Sequence, residues 1–106
     1  MANRYEKEGR APIVLAPFNP IGSHGSQTVN SSAVFSPEIP DDADLVLVQA
    51  LTQNIRFTLD GTNPTTSSGF QITAGSDALV IPIGADSEIK FIAESDGAKL
   101  EYQFGE

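Results

Sequence analysis

From Asn54 onward the chain alternates. Ile55, Phe57 and Leu59 fall on one parity and Arg56, Thr58 and Asp60 on the other. A period of two marks a half-buried strand, because successive side chains leave opposite faces of the pleat. Asp60-Gly61 ends that strand: Asp bonds its own backbone and Gly accepts φ > 0. Pro64 removes a donor and fixes φ, which bars the next residues from the sheet. Thr65-Thr66-Ser67-Ser68-Gly69 offers hydroxyls for local bonds before Phe70 and Ile72 resume the alternation. The reading is strand, ordered polar loop, strand.

The same pattern recurs on either side. Leu45–Leu51 is apolar enough for a strand, and the few residues between it and Ile55 predict a hairpin. Leu79, Ile81 and Ile83 share a face, while Pro82 marks an edge or bulge. Ile89, Phe91 and Ala93 point inward against Glu88, Lys90 and Glu94. Asp96-Gly97 then predicts a tight hairpin to a last strand with Leu100, Tyr102 and Phe104 inward. Upstream, Thr28–Ile39 offers Val29, Ala33 and Phe35 as core contacts. Turn signals every 8–12 residues and no helical period predict an all-β fold, an antiparallel sandwich of seven strands or so. Phe57, Leu59, Ile81, Phe91 and Tyr102 are expected in its core.

Residues 1–27 read differently. Met1–Arg10 is polar, APIVLAPFNPIG interleaves Pro with apolar residues, and SHGSQ is a Gly/Ser spacer. Pro12, Pro17 and Pro20 forbid a helix and favour an extended path. Ile13, Val14, Leu15, Phe18 and Ile21 nevertheless need a surface to cover them. An extended N-terminal arm of this kind lies in a partner's groove, adds to its sheet, or folds back over its own sandwich. The expected division is therefore an arm over 1–27 and a sandwich over 28–106.

FTLDGTNPTTSS resembles the signature of the small immunoglobulin-like modules at the C-terminus of chitobiases and bacterial hexosaminidases. There a strand ending in Tyr/Phe-Thr-x-Asp-Gly-Ser/Thr is followed by x-Pro-Thr-x-Ser. EIKFIAESDGAKLEYQF is similar to the closing pair of strands in that family. The likeness covers roughly residues 45–104, implies an immunoglobulin-like sandwich, and implies an accessory role rather than an activity. In size and layout, an arm ahead of an acidic sandwich, the chain also resembles decoration proteins of tailed-phage heads.

Composition narrows the classes. A chain of 106 residues is one domain able to bury about 65% of its unfolded surface. Its apolar runs are far short of the ~20 residues of a membrane span, and MANRYEKEGR has no apolar stretch of a secretory signal. Without cysteine there are no disulfides or thiolate metal sites. The net charge of −8 argues against nucleic acid, which needs a basic face, and suits solubility at high local concentration. Arg4, Lys7 and Arg10 crowd the arm, whereas Arg56, Lys90 and Lys99 serve all the rest.

Little of the sequence looks catalytic. The single His24 sits in a Gly/Ser spacer with no neighbour to orient it, so a solvated or interface role is expected rather than that of a base. Asp41, Asp42 and Asp44 offer oxygen ligands but not the spacing of a calcium loop, and read as an exposed acidic turn. Asn30-Ser31-Ser32 fits a glycosylation acceptor, which matters only in a secreted chain. No enzyme and no cofactor are expected.

The sequence-based expectation is a virion structural protein, a capsid decoration or cement subunit made in the host cytoplasm and placed on the head surface. Its arm residues Arg4, Lys7, Arg10, Ile13, Val14, Leu15, Phe18 and Ile21, with one sandwich face, would bind the major capsid protein or other virion subunits. Copies would form a homo-oligomer on the particle, with no membrane partner. The alternatives are a carbohydrate-binding accessory module and a head–tail connector or tail subunit.

Overall fold

The structure, a computed structural model, describes residues 17–106. Among them are seven strands and no helix: β1 Gly25–Val29, β2 Leu45–Ala50, β3 Ile55–Thr58, β4 Phe70–Ile72, β5 Leu79–Pro82, β6 Lys90–Ala93 and β7 Ala98–Gly105. They form a four-stranded sheet ordered β1-β7-β2-β5 and a three-stranded sheet ordered β4-β3-β6. All strand pairs are antiparallel. This is the expected β-sandwich. Its β2–β5 and β3–β6 pairs match the B–E and C–F pairs of an immunoglobulin-type sandwich. The last strand departs from that plan, lying between β1 and β2 instead of beside β6.

Two predicted hairpins are corrected by this topology. β2 and β3 lie in different sheets, and so do β6 and β7; only β3 and β4 are both consecutive and paired. Leu51–Asn54 and Ser95–Gly97 cross from one sheet to the other, and each is tied to the other. Thr52 Oγ1 donates to Gly97 O at 3.0 Å and accepts from Lys99 N at 3.1 Å, while Leu51 N donates to Lys99 O. These bonds replace the ladder that a hairpin would have supplied. Asn30, first residue of the glycosylation pattern, belongs to the same end: its Oδ1 accepts from Gly97 N.

The core lies between the sheets. Val46, Val48 and Ala50 from β2, Ile55 and Phe57 from β3, Phe91 and Ala93 from β6, and Leu100 and Phe104 from β7 are buried. Phe57, Ile81 and Phe91 take the expected core places, whereas Leu59 and Tyr102 are only partly covered. Ala33, a candidate core contact, is exposed. Phe35 forms an isolated bridge with Phe91, its N–H and C=O both bonded to that residue. Its ring packs on Phe91 at 6.3 Å and Tyr102 at 5.7 Å. β1 lies against β6 on the same side, so this flank of the sandwich is closed. β4 and β5 form the opposite flank.

The expected arm boundary also moves. β1 begins at Gly25, inside the segment assigned to the spacer, and residues 19–21 continue its path along β7. Asn19 and Glu106 exchange both backbone bonds, Ile21 N donates to Phe104 O, and Pro20 bridges Gly105. Gly25 and Gly105 are the reason. A Cβ at Gly25 would stand 2.2 Å from the Tyr102 ring, and one at Gly105 2.5 Å from the Phe18 ring. Only glycine admits these rings so close to the backbone. Gln103 Nε2 then donates to the carbonyls of Ile21 and Gly22, where the chain bends at Gly22.

Candidate functional site

Four surfaces concentrate chemistry among the described residues. The first is the outward face of the three-stranded sheet, where Glu94 is a hub. It accepts from Gln71 Nε2 at 2.6 Å and Arg56 Nε at 2.9 Å on one oxygen, and from Asn54 Nδ2 at 3.4 Å on the other. The Gln71 bond foremost, then those from Asn54 and Arg56, holds its carboxyl below the ordinary value of 4.5. Arg56 Nη1 also donates to Gly69 O. The strand residue Arg56 thus anchors the far end of the loop that follows its own strand.

That loop, residues 61–69, is internally tied. Thr62 N donates to Asp60 Oδ1 at 3.0 Å, and Thr58 Oγ1 donates to Thr62 O. Thr62 is the main cause of the lowered pKa of Asp60. Thr65 and Ser68 exchange backbone bonds, Ser67 N donates to Thr65 Oγ1, and Pro64 is buried. Of the Thr65–Ser68 hydroxyls expected to order the loop, that of Thr65 does so; the other ties come from Asp60, Thr58 and the backbone, and Lys90 Nζ fastens the loop to β6 through Asn63 Oδ1.

The second surface lies on the outside of the four-stranded sheet. His24 Nε2 is 2.7 Å from Glu101 Oε1, and Ser26 Oγ donates to Glu101 Oε2 at 2.5 Å. Ser26 first and His24 second hold Glu101 below the usual carboxylate range. Against expectation, His24 therefore has a fixed neighbour. The three residue types are those of a nucleophilic triad, but their order is not. The carboxylate stands between hydroxyl and imidazole, so the imidazole cannot take the serine proton.

The third surface is the flank formed by β4 and β5. Phe70 is 66% exposed, Leu79 42% and Val80 47%. Phe70 has the inward parity and its ring meets Phe57 at 5.5 Å, yet β4 is the sheet margin and nothing covers its outer side. Alternation assigns a residue to a face; it does not say how far the facing sheet extends. That is why the exposure of Phe70 escaped the sequence reading.

The fourth is the end of the sandwich where β2 begins and β7 finishes. Residues 36–43 cross it from the Phe35 bridge to β2, and 83–88 cross it from β5 towards β6. Between them run two adjoining hollows of about 370 and 240 Å³ that share Ile39 and Ser87. Asp41, Asp42 and Asp44 are exposed here, as the acidic turn was expected to be. No group of three or more metal-donor side chains occurs among the described residues.

Of the sequence-predicted arm residues, Phe18 and Ile21 are half-buried on their own sandwich beside β7. Arg4, Lys7, Arg10, Ile13, Val14 and Leu15 lie outside the described residues. Comparison with protein-family models, curated proteins and solved structures gives no match to the chain.

Proposed function

We propose that the chain is a non-catalytic assembly subunit, a capsid decoration or cement protein that attaches to a tailed-phage head. One observation carries the binding role. A complete, well-tied sandwich leaves Phe70, Leu79 and Val80 uncovered along a single flank, next to sheet margins that are open to pairing. The segment Arg4–Leu15, apolar in its second half and only slightly basic, supplies a second adhesive element. The virion assignment rests on the resemblance in size and layout. Partners on this reading are the major capsid protein or other virion subunits, with sister copies beside each lattice point and synthesis in the host cytoplasm. Repetition at symmetric sites would multiply a modest single-site affinity.

A second reading has one observation in its favour. An exposed aromatic, Phe70, flanked by the polar Gln71 and Ser68, is a surface on which a pyranose ring could stack, as in a carbohydrate-binding accessory module. Cosedimentation of the purified chain with intact heads, isolated tails and insoluble chitin separates the readings. Pelleting with heads supports decoration, pelleting with tails a connector or tail subunit, and pelleting with chitin the accessory module. Failure to pellet with heads overturns the proposal.

A further inference from the structure

The outward face of the four-stranded sheet changes character across its width. On β1 and β7 it carries Ser26, Thr28, Glu101 and Gln103, and on β2 and β5 it carries Leu45, Leu47, Val80 and Pro82. Val80 and Leu47 stand opposite each other, as do Pro82 and Leu45. This strip is apolar on the side turned away from the core, so packing between the two sheets does not account for it.

The backbone of β5 is open along the same margin. Ile83 N donates to Asp44 O, and the alternation of an antiparallel ladder turns Ile81 and Leu79 to β2 in the same way. The N–H and C=O of Val80 and the carbonyl of Pro82 therefore point out of the sheet. Such a row is a template for another strand. Pro82 lacks the one donor its position would have offered there, which confines pairing to the short run from Ala78 to Pro82. The β4 margin is a poorer template: it is three residues long, and its outward Gln71 is held by the carboxylate of Glu94.

Charge indicates what pairs with β5. The chain has 14 acidic and 6 basic residues, yet within residues 62–85 the only charged side chain is Asp77. Two copies at a net charge of −8 repel each other wherever carboxylate meets carboxylate. Glu101 lies on the outward face beside β1, Glu94 on that of the other sheet, and Glu38, Asp41, Asp42 and Asp44 at one end. The β5 margin is the face on which that repulsion is least. A basic partner would instead be met by carboxylates, which this margin lacks.

We propose that the free protein forms a two-fold dimer in which β5 pairs antiparallel with β5 of a second copy. The axis passes beside Val80, which exchanges both backbone bonds with its counterpart, while Ala78 N–H donates to the Pro82 carbonyl across the joint. Val80 packs beside Val80 and Pro82 beside Ala78, and two four-stranded sheets become one of eight strands. The two Asp77 carboxylates fall three residues to either side of the axis, about 20 Å apart at ~3.3 Å per residue. That exceeds the ~8 Å screening length at physiological salt. Phe70, on the other sheet, stays outside the pairing. The dimer deepens one part of the assembly reading, the contact between sister copies, and does not rest on the head.

Sedimentation velocity of the full-length protein over a concentration series should show a species of twice the 11.2 kDa chain mass, favoured further as salt screens the net charge. Val80→Glu places two carboxylates at the axis and should leave a folded monomer at concentrations where the parent is a dimer. Phe70→Glu, the same charge on the other sheet margin, should leave the dimer intact. Hydrogen exchange on the parent chain gives a readout that needs no variant: protection of the Val80 amide should rise with protein concentration. A protein monomeric at every soluble concentration, a dimer that survives Val80→Glu, or one lost in Phe70→Glu would overturn the proposal. So would a Val80 amide that exchanges freely in the dimer, or one protected equally in the monomer, which would mean that the chain covers its own margin. A monomeric result leaves the head-binding reading standing, and failed cosedimentation leaves this one standing.

Discussion

The two flanks of the sandwich use similar residues to opposite ends. On the closed flank Phe35 bridges β6 by two backbone bonds and wedges its ring between Phe91 and Tyr102. Gly25 lies under the Tyr102 ring. On the open flank Phe70 has the same inward parity as Phe57, which it pairs with, yet it is two-thirds exposed. An aromatic ring is buried where a strand or bridge passes on its other side, and left exposed where none does. The difference is topological and not compositional.

The largest expected effect lies at the closed flank. Phe91 is fully buried, so Phe91→Ala should destabilise by ~3–5 kcal/mol in urea unfolding. A loss below about 1 kcal/mol would remove that flank from the core. Gly25→Ala comes next. Its new Cβ must displace the Tyr102 ring, which at the ~1–3 kcal/mol of ordinary overpacking should lower the thermal midpoint. An unchanged midpoint would mean that β1 is not held under that ring.

A smaller effect concerns the tether of the open flank. Gln71 of β4 holds Glu94, the residue after β6, across Arg56, and the carboxyl is held below 4.5 in the fold. A depressed carboxyl contributes stability above its unfolded value and loses it as pH falls through the folded value. Asp60, Asp96 and Glu101, also lowered, act in the same direction. Stability should therefore fall as pH drops below 4.5, and Glu94→Gln should make that fall shallower. An equally steep acid limb in the variant would show that the network does not discriminate between protonation states.

Phe70→Ala should change stability least, within about 0.5 kcal/mol as at other surface positions, while weakening partner binding. A loss as large as that of Phe91→Ala would make the two flanks equivalent and remove the case for an open binding margin.

Much of this division was legible in the chain. Alternation placed Ile55 and Phe57, Ile81 and Ile83, Phe91 and Ala93, and Leu100 and Phe104 on buried faces, and Pro82 marked a sheet margin. Partnership was not legible, because a strand before a hairpin and a strand before a sheet-to-sheet crossing alternate alike. What settles Leu51–Asn54 is a set of long-range bonds: Thr52 to Gly97 and Lys99, and Asn54 Oδ1 accepting from Ala74 N. The same holds for His24, whose partner Glu101 is 77 positions away. Nor could a count of prolines show that residues 19–21 pair with β7, since that rests on Gly105 accepting the Phe18 ring.

The central claim is that the open β4–β5 flank carries attachment while the rest of the sandwich holds itself together. The direct measurement is cosedimentation of full-length Phe70→Asp/Val80→Asp with intact heads, read beside its thermal unfolding. The account predicts an unfolding midpoint close to that of the parent chain, with little or no protein pelleting. Pelleting at parental occupancy would contradict it and move the attachment site away from this flank.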